Sequence, residues 1–250
     1  MNIVFFGSDN FAVFPLKALI ASGYRISCVV TQPDRRKGRG LAVGPTAVKL
    51  AAQGAELKIY QPNEVNSTGA VKFLKALGPD LFVVIAYGQI LSQEILDIPK
   101  IFSINVHASL LPKYRGAAPI NWAIINAETA TGITVIKMVK SMDAGAIIQQ
   151  QKLEIGNDED SIMLEDKLSK LAAEVLIDSL KSIENNGYKL TPQDEADASL
   201  APKLKKEDGL VIWSKPARQI HNLVRGCLGW PGAFTYYRGK LLKIYKVRVS

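Results

Sequence analysis

Two cysteines and two histidines are all that 250 residues contain, and this scarcity removes several chemistries. Cys28 and Cys227 stand far apart, so the sequence offers neither a disulfide framework nor a paired-thiolate zinc site. Isolated thiols fit a reducing compartment. Long hydrophobic runs are missing as well: the apolar stretch at 81–87 is far shorter than the roughly 20 residues that span a bilayer. No charged leader with an apolar segment and cleavage site opens the chain, and the expected location is the cytoplasm. The first turn, Gly7-Ser8-Asp9-Asn10, lacks the G-x-G-x-x-G spacing that brings a pyrophosphate to a helix N-terminus, which argues against a dinucleotide cofactor. No His/Asp/Glu cluster has ligand spacing, so no metal is expected. Internal repeats and low-complexity tracts are also lacking.

What is present suffices for a globular protein. A hydrophobic content of 48% over this length can bury the core of one large domain or two smaller ones. The formal net charge of +8 makes an anionic partner reasonable, with nucleic acid first among them. A merely basic surface explains the same number, so the distribution of the cations must decide.

Along the first half, short β-branched runs alternate with amphipathic stretches, the pattern of a parallel sheet with crossover helices. Strands are predicted at 1–6, 25–31, 57–60, 81–86 and 101–106, with helices at 11–22 and 65–77. This is a doubly wound, mostly parallel α/β sheet. Such sheets bind ligands at the carboxyl ends of their strands, so residues just after Phe6, Thr31, Ala86 and Val106 should line one crevice. Further strands are predicted at 131–139 and 146–154, followed by a long helix at 160–183. Residues 185–210 are polar, contain Pro192 and Pro202, and have the composition of a linker. A helix at 217–227 and strands at 233–237 and 241–249 follow. They are too few to bury a core alone, so a second, β-rich domain is expected to be present only in part.

The candidate chemistry sits at one strand end. Period-two alternation puts Asn105 and His107 on the same side of the strand that ends near Val106. An amide and an imidazole side by side can donate two hydrogen bonds to a developing oxyanion, and the ring can exchange a proton. A lone histidine is also commonly just packed or solvated. Asp143, in Met142-Asp143-Ala144-Gly145, could orient that ring or accept a proton from an attacking amine. Asp before Ala-Gly is equally a natural turn residue. The segment from Ser109 to Pro119 carries prolines, a glycine and two cations where a loop must leave the sheet, and its apolar side chains suit a flat heteroaromatic ligand. Arg35, Arg36, Lys37 and Arg39, flanked by glycines, could neutralise phosphates at close approach. A solvated charged loop is the ordinary alternative.

Taken together, Asn105-Val106-His107, Ser109-Leu110-Leu111-Pro112, Tyr114-Arg115-Gly116-Ala117-Ala118-Pro119-Ile120 and Met142-Asp143-Ala144-Gly145 resemble the signature of the folate-dependent formyltransferases. The resemblance covers essentially the whole chain, through Trp230-Pro231. It implies a Rossmann-like formyltransferase domain at 1–184, a linker at 185–210, and at 211–250 the start of an OB-like tRNA-binding domain. It also implies Asn105, His107 and Asp143 as the catalytic trio, and 10-formyltetrahydrofolate as co-substrate without a metal. The folate would be held by Tyr87, Gly88, Gln89, Ile90 and Leu91 and by Ser109, Leu110, Leu111 and Pro112. Within the superfamily, Thr31-Gln32-Pro33-Asp34-Arg35-Arg36-Lys37-Gly38-Arg39-Gly40, together with Val84-Ile85-Ala86-Tyr87-Gly88-Gln89-Ile90-Leu91, resembles the branch whose acceptor is initiator methionyl-tRNA, in which the basic loop enters the acceptor arm. The product would be formylmethionyl-tRNA for translation initiation, made by a monomer. An amino-sugar formyltransferase would share the trio without needing the basic loop, and a non-catalytic RNA-binding module would need only the loop.

Overall fold

A computed structural model describes residues 1–37 and 42–249. In chain order the first half contains β1 (Asn2–Gly7), α1 (Val13–Ala21), β2 (Arg25–Val30), β3 (Arg35–Lys37), β4 (Ala42–Gly44), α2 (Ala47–Gly54), β5 (Ile59–Tyr60), α3 (Thr68–Ala76), β6 (Leu81–Ile85), α4 (Gln93–Leu96) and β7 (Phe102–His107). There follow α5 (Pro119–Ile125), β8 (Ala130–Lys137), β9 (Ile147–Glu154), α6 (Ser161–Glu184), α7 (Ala217–Gly226), β10 (Ala233–Tyr237) and β11 (Lys240–Ile244). Among the described residues, no helix is long and apolar enough to cross a membrane. The chain divides into two compact units: Met1–His107, Thr134–Gln150 and Ser169–Gln193 form the first, and Ala108–Ile133, Gln151–Leu168 and Asp194–Ser250 the second.

The first unit is organised by a sheet of order β5-β2-β1-β6-β7-β8-β9. The pairs from β5 to β7 are parallel, and β8 runs antiparallel to β7. Central strands of parallel sheets are covered on both faces, which explains why β6 is the unbroken apolar run Leu81-Phe82-Val83-Val84-Ile85, buried throughout. One face of the sheet packs Val4, Phe6, Val30, Phe82 and Val84 against Val71, Leu74, Ile95 and Leu96 from α3 and α4. The order reverses at β1, with β2 and β5 to one side and β6 and β7 to the other, so the switch-point crevice lies at the carboxyl ends of β1 and β6. Gly7 is required there by space: a Cβ would lie 2.8 Å from the Phe5 ring and 3.1 Å from the Ile85 carbonyl oxygen.

Several helices absent from the sequence-based expectation are explained by their starts. The Thr46 side chain accepts from Lys49 N at 3.0 Å and begins α2, and Ser92 caps α4 in the same way. Pro119 opens α5 at its first turn, where its missing N–H costs nothing. The basic stretch after β2 is a β-hairpin, β3 pairing antiparallel with β4 from Arg35 opposite Gly44 to Lys37 opposite Ala42.

In the second unit α5 packs closely on α7. Asn121 Nδ2 donates to the Gly226 carbonyl at 2.8 Å, and a Cβ on Gly226 would lie 2.6 Å from Ile125 Cγ1. Arg225 is buried because its donors are used: Nη1 bonds the carbonyls of Gly156 and Glu159, and Nε the Asn222 side chain. β10 and β11 form a hairpin around Arg238 and Gly239, both at positive φ, the backbone that a tight hairpin turn demands. Val211, Val224 and Ala233 make a small core beside it.

Candidate active site

The carboxyl ends of three strands in the first unit are tied together by one hydroxyl. Ser8, just after β1, donates from Oγ to the Tyr87 carbonyl at 2.9 Å and accepts from Gln32 N at 3.1 Å. Ser8 N also donates to the Ala86 carbonyl at 3.2 Å. The crevice floor is thereby fixed by the Ser8 hydroxyl together with backbone groups.

β7 brings Asn105 and His107 to this edge, held in register by β6 on one side and by β8 on the other, where His107 stands opposite Thr134. The third group comes from the turn between β8 and β9. Asp143 Oδ1 accepts from Asn105 Nδ2 at 3.0 Å, and Oδ2 lies 3.6 Å from His107 Nδ1. Asp143 is thus both a turn residue, at φ +50°, and a partner of the strand-end pair. Its side chain is 11% exposed and that of His107 is 6% exposed, so the cluster is shielded and its electrostatic contacts are stronger than in water.

Two features of the turn were not read from the sequence. Gly145 admits no side chain, since a Cβ would overlap the Lys137 carbonyl oxygen. Gln193, within the polar stretch expected to be linker, donates from Nε2 to the carbonyls of Asp143 and Gly145, both at 2.7 Å. Thr191 anchors the same stretch by exchanging two backbone hydrogen bonds with Ile147. A glutamine between Pro192 and Asp194 carries no local pattern that marks this contact.

The residues expected to hold folate divide in character. Tyr87 is 2% exposed, its ring edge-on to Phe6 within the core, and Leu91 is buried there too. Gln89 is occupied as a clamp, accepting from Val65 N and donating to the Asn63 carbonyl. Gly88, at φ +91°, and exposed Ile90 are the parts of this run that present surface. Ser109, Leu110, Leu111 and Pro112 begin two residues after His107 and belong to the second unit. Ser109 is buried with its hydroxyl on the Lys113 carbonyl. In the same unit, buried Arg115 forks onto Glu195 with two 2.8 Å bonds, which hold that carboxyl below its usual range.

Of the basic set, Arg35 is exposed and donates from Nη2 to Gln32 Oε1 at 3.0 Å. The backbone of Arg36 and Lys37 completes β3, and Arg39 lies outside the described residues. Asp34, beside them, receives Lys49 Nζ on both oxygens and Gln61 Nε2 on one. The other polar candidates stand apart from this chemistry. His221 is buried on α7 near Asp158. Burial pushes the thiols of Cys28 and Cys227 up to about 11 and about 12, which leaves them protonated and unreactive.

Two family descriptions match the chain: Formyl transferase over residues 1–180, and Formyl transferase, C-terminal domain, over residues 203–250. The methionyl-tRNA formyltransferase of Pelobacter propionicus is 45% identical over 249 residues, covering 100% of this chain and 78% of that protein. The protein of the same name from Caldanaerobacter subterraneus subsp. tengcongensis is 48% identical over 252 residues, covering 100% and 81%. Among solved structures, the N-formyltransferase from Helicobacter canadensis in complex with folinic acid and dTDP-3-aminofucose aligns with a TM-score of 0.72. That alignment covers 98% of this chain and 86% of the other at 18% identity, a likeness of fold.

Proposed function

Because the chain belongs to the methionyl-tRNA formyltransferase family, we propose that it transfers the formyl group of 10-formyltetrahydrofolate to the α-amino group of methionyl-initiator tRNA, with Asn105, His107 and Asp143 as its catalytic trio. The observation that carries the residue assignment is the Asp143 carboxylate facing Asn105 with one oxygen and His107 with the other.

One hydrogen of the Asn105 amide is committed to Asp143, and the second is the donor for the oxyanion that forms when the amine attacks the formyl carbon. His107 turns Nδ1 toward Asp143, so Nε2 is the nitrogen that meets the same oxygen. Each such donor, held in place before the reaction, contributes on the order of 3 kcal/mol to the transition state. Asp143 fixes the ring by its Nδ1 side and provides the base toward which the proton of the attacking amine is relayed; as the oxyanion collapses, the bond from the formyl carbon to the folate nitrogen breaks, and that nitrogen takes up the proton as tetrahydrofolate leaves. Within the first unit, Gly88, Ile90 and the backbone of residues 87–91 offer a surface for the pterin.

The acceptor is recognised through charge. Arg35, Arg36 and Lys37 on the β3–β4 hairpin, together with Arg39, bind phosphates of the acceptor arm. Residues 1–184 carry the chemistry, residues 185–210 are the linker, and residues 211–250 open the OB-like domain. Tyr236 and Tyr237, 60% and 63% exposed, with Arg238 5.3 Å from the Tyr237 ring, support nucleic-acid binding there. The trio lies within one unit of one chain, so a single chain brings all three residues together, in keeping with a monomer.

The test is transfer of labelled formyl from 10-formyltetrahydrofolate with charged initiator tRNA, free methionine and a nucleotide-linked amino sugar offered in parallel. Label on the tRNA alone is expected. Label on the sugar, or folate turnover without any acceptor, would overturn the assignment.

A further inference from the structure

The catalytic carboxylate stands on an unfavourable piece of backbone. Asp143 sits at φ +50°, a region where a residue with a Cβ is strained unless its surroundings insist on it. The two residues after it add a second constraint, because Gly145 passes against the Lys137 carbonyl with no room for a side chain. Within the turn, the Ala144 N–H reaches the Ser141 carbonyl at 3.4 Å, a long bond for a backbone held in this region.

Gln193 adds a restraint from outside the turn. Its Nε2 bonds the carbonyl oxygens of Asp143 and Gly145, each at 2.7 Å. Two carbonyls can only accept, so they fix which end of the amide faces the turn. A single NH2 group therefore spans the turn from the residue that carries the carboxylate to the glycine that closes it. Gln193 itself is steadied by the Thr191–Ile147 backbone pair two residues earlier. The arrangement is all within the first unit.

We infer that Gln193 is a positioning residue for the transfer reaction: it holds the Asp143 turn in its left-handed conformation and so sets the aim of the carboxylate on Asn105 and His107. The inference rests on the catalytic role proposed for Asp143. Gln193 touches no reacting atom, and its effect passes entirely through Asp143. Removing its donors leaves two carbonyl oxygens without that partner and lets the turn relax. A displacement of the carboxylate by even about 1 Å loses up to two orders of magnitude in rate.

The experiment compares Gln193→Glu and Gln193→Leu with the parent protein, alone and in the Asp143→Asn background, by steady-state kinetics and thermal melting. Gln193→Glu keeps the shape but turns an acceptor toward two acceptors. Both single variants are expected to lose about tenfold to a hundredfold in kcat, with KM for folate and for charged tRNA within about twofold. In the Asp143→Asn background the same changes should cost no more than about twofold, since there is no carboxylate left to aim. A folded Gln193→Glu with parental kcat would overturn the inference, as would a loss that persists undiminished in the Asp143→Asn background. Near-normal turnover of Asp143→Asn alone would instead sink the catalytic trio, so the two failures are told apart.

Discussion

The Asn105–His107–Asp143 cluster and the β3–β4 hairpin are both polar and both serve the same proposed reaction, yet they are built in opposite ways. In the cluster His107 and Asp143 are shielded and Asn105 is half-buried, and each meets another member on backbone fixed by the sheet or by Gln193. On the hairpin Arg35 is exposed and tethered by one hydrogen bond to Gln32. In the proposed reaction the first would stabilise a charge that appears at one point for an instant, which demands donors already in place. The second would there meet a polyanion whose charges are spread along a strand, where reach matters more than aim. Changes in the cluster should therefore appear in kcat, and changes in the hairpin in KM and in salt dependence.

The largest effect tests the cluster directly. Asn105→Ala and His107→Ala are each expected to lower kcat by about two orders of magnitude or more, consistent with removal of about 3 kcal/mol of stabilisation, while the melting temperature stays close to the parent. Steady-state kinetics beside calorimetry reads both. A folded His107→Ala protein with near-normal turnover would erase the contrast between the two regions. A step below lies Gly145→Ala, which forces a Cβ into the Lys137 carbonyl. Overpacking of this kind costs about 1–3 kcal/mol of stability, and the turn can accommodate it only by moving Asp143. A lower melting temperature and a reduced kcat should appear together, and parental values of both would mean that the turn is not held as described.

The hairpin is probed by replacing Arg35, Arg36, Lys37 and Arg39 with Gln. The expected outcome is a raised KM for charged tRNA and a flatter dependence on salt, by roughly 0.7 to 0.9 in slope for each phosphate that is no longer neutralised. KM for folate should hardly move. Unaltered tRNA kinetics would make the hairpin an ordinary solvated surface and reopen the amino-sugar reading.

The same division decides what could be read from sequence. The parallel core was legible because buried strands must be apolar on both faces, as in Leu81-Phe82-Val83-Val84-Ile85, and strand alternation alone placed Asn105 and His107 together. Asp143 was legible only as an ambiguity between turn and site, and it stands on the turn with its carboxylate facing Asn105 and His107: the turn conformation is what delivers the carboxylate to them. Gln193 was invisible, since a single glutamine bridging about 50 residues of chain leaves no periodicity. Helices α2 and α4 were missed because each is a turn or two long, too short for a 3.6-residue period to stand out, although Thr46 and Ser92 mark their starts. The basic stretch showed its charge but not its hairpin, because cations and glycines carry no strand alternation.

The smallest expected effect isolates the tether between the two designs. Gln32 is only 8% exposed, and its side-chain Nε2 has no partner among the described residues, while Oε1 is taken by Arg35. A buried donor left unpaired is a cost, so replacing the whole amide with a side chain of similar volume is close to neutral for stability. Its backbone would stay in place, since Gln32 N donates to Ser8 Oγ and its carbonyl accepts from Gln61 Nε2. In Gln32→Leu the one thing removed is the hold on Arg35. A freed arginine must be ordered when it meets a phosphate, at a cost of about 0.5–1.5 kcal/mol, and its partial exposure to solvent puts the effect at the low end. KM for charged tRNA should rise about twofold to fivefold, with kcat, folate KM and melting temperature unchanged. The same substitution made where Arg35 is already Gln should do nothing further. A fall in kcat instead would show that the rim of the crevice shares in the chemistry, and the separation between aim and reach would not hold at Gln32.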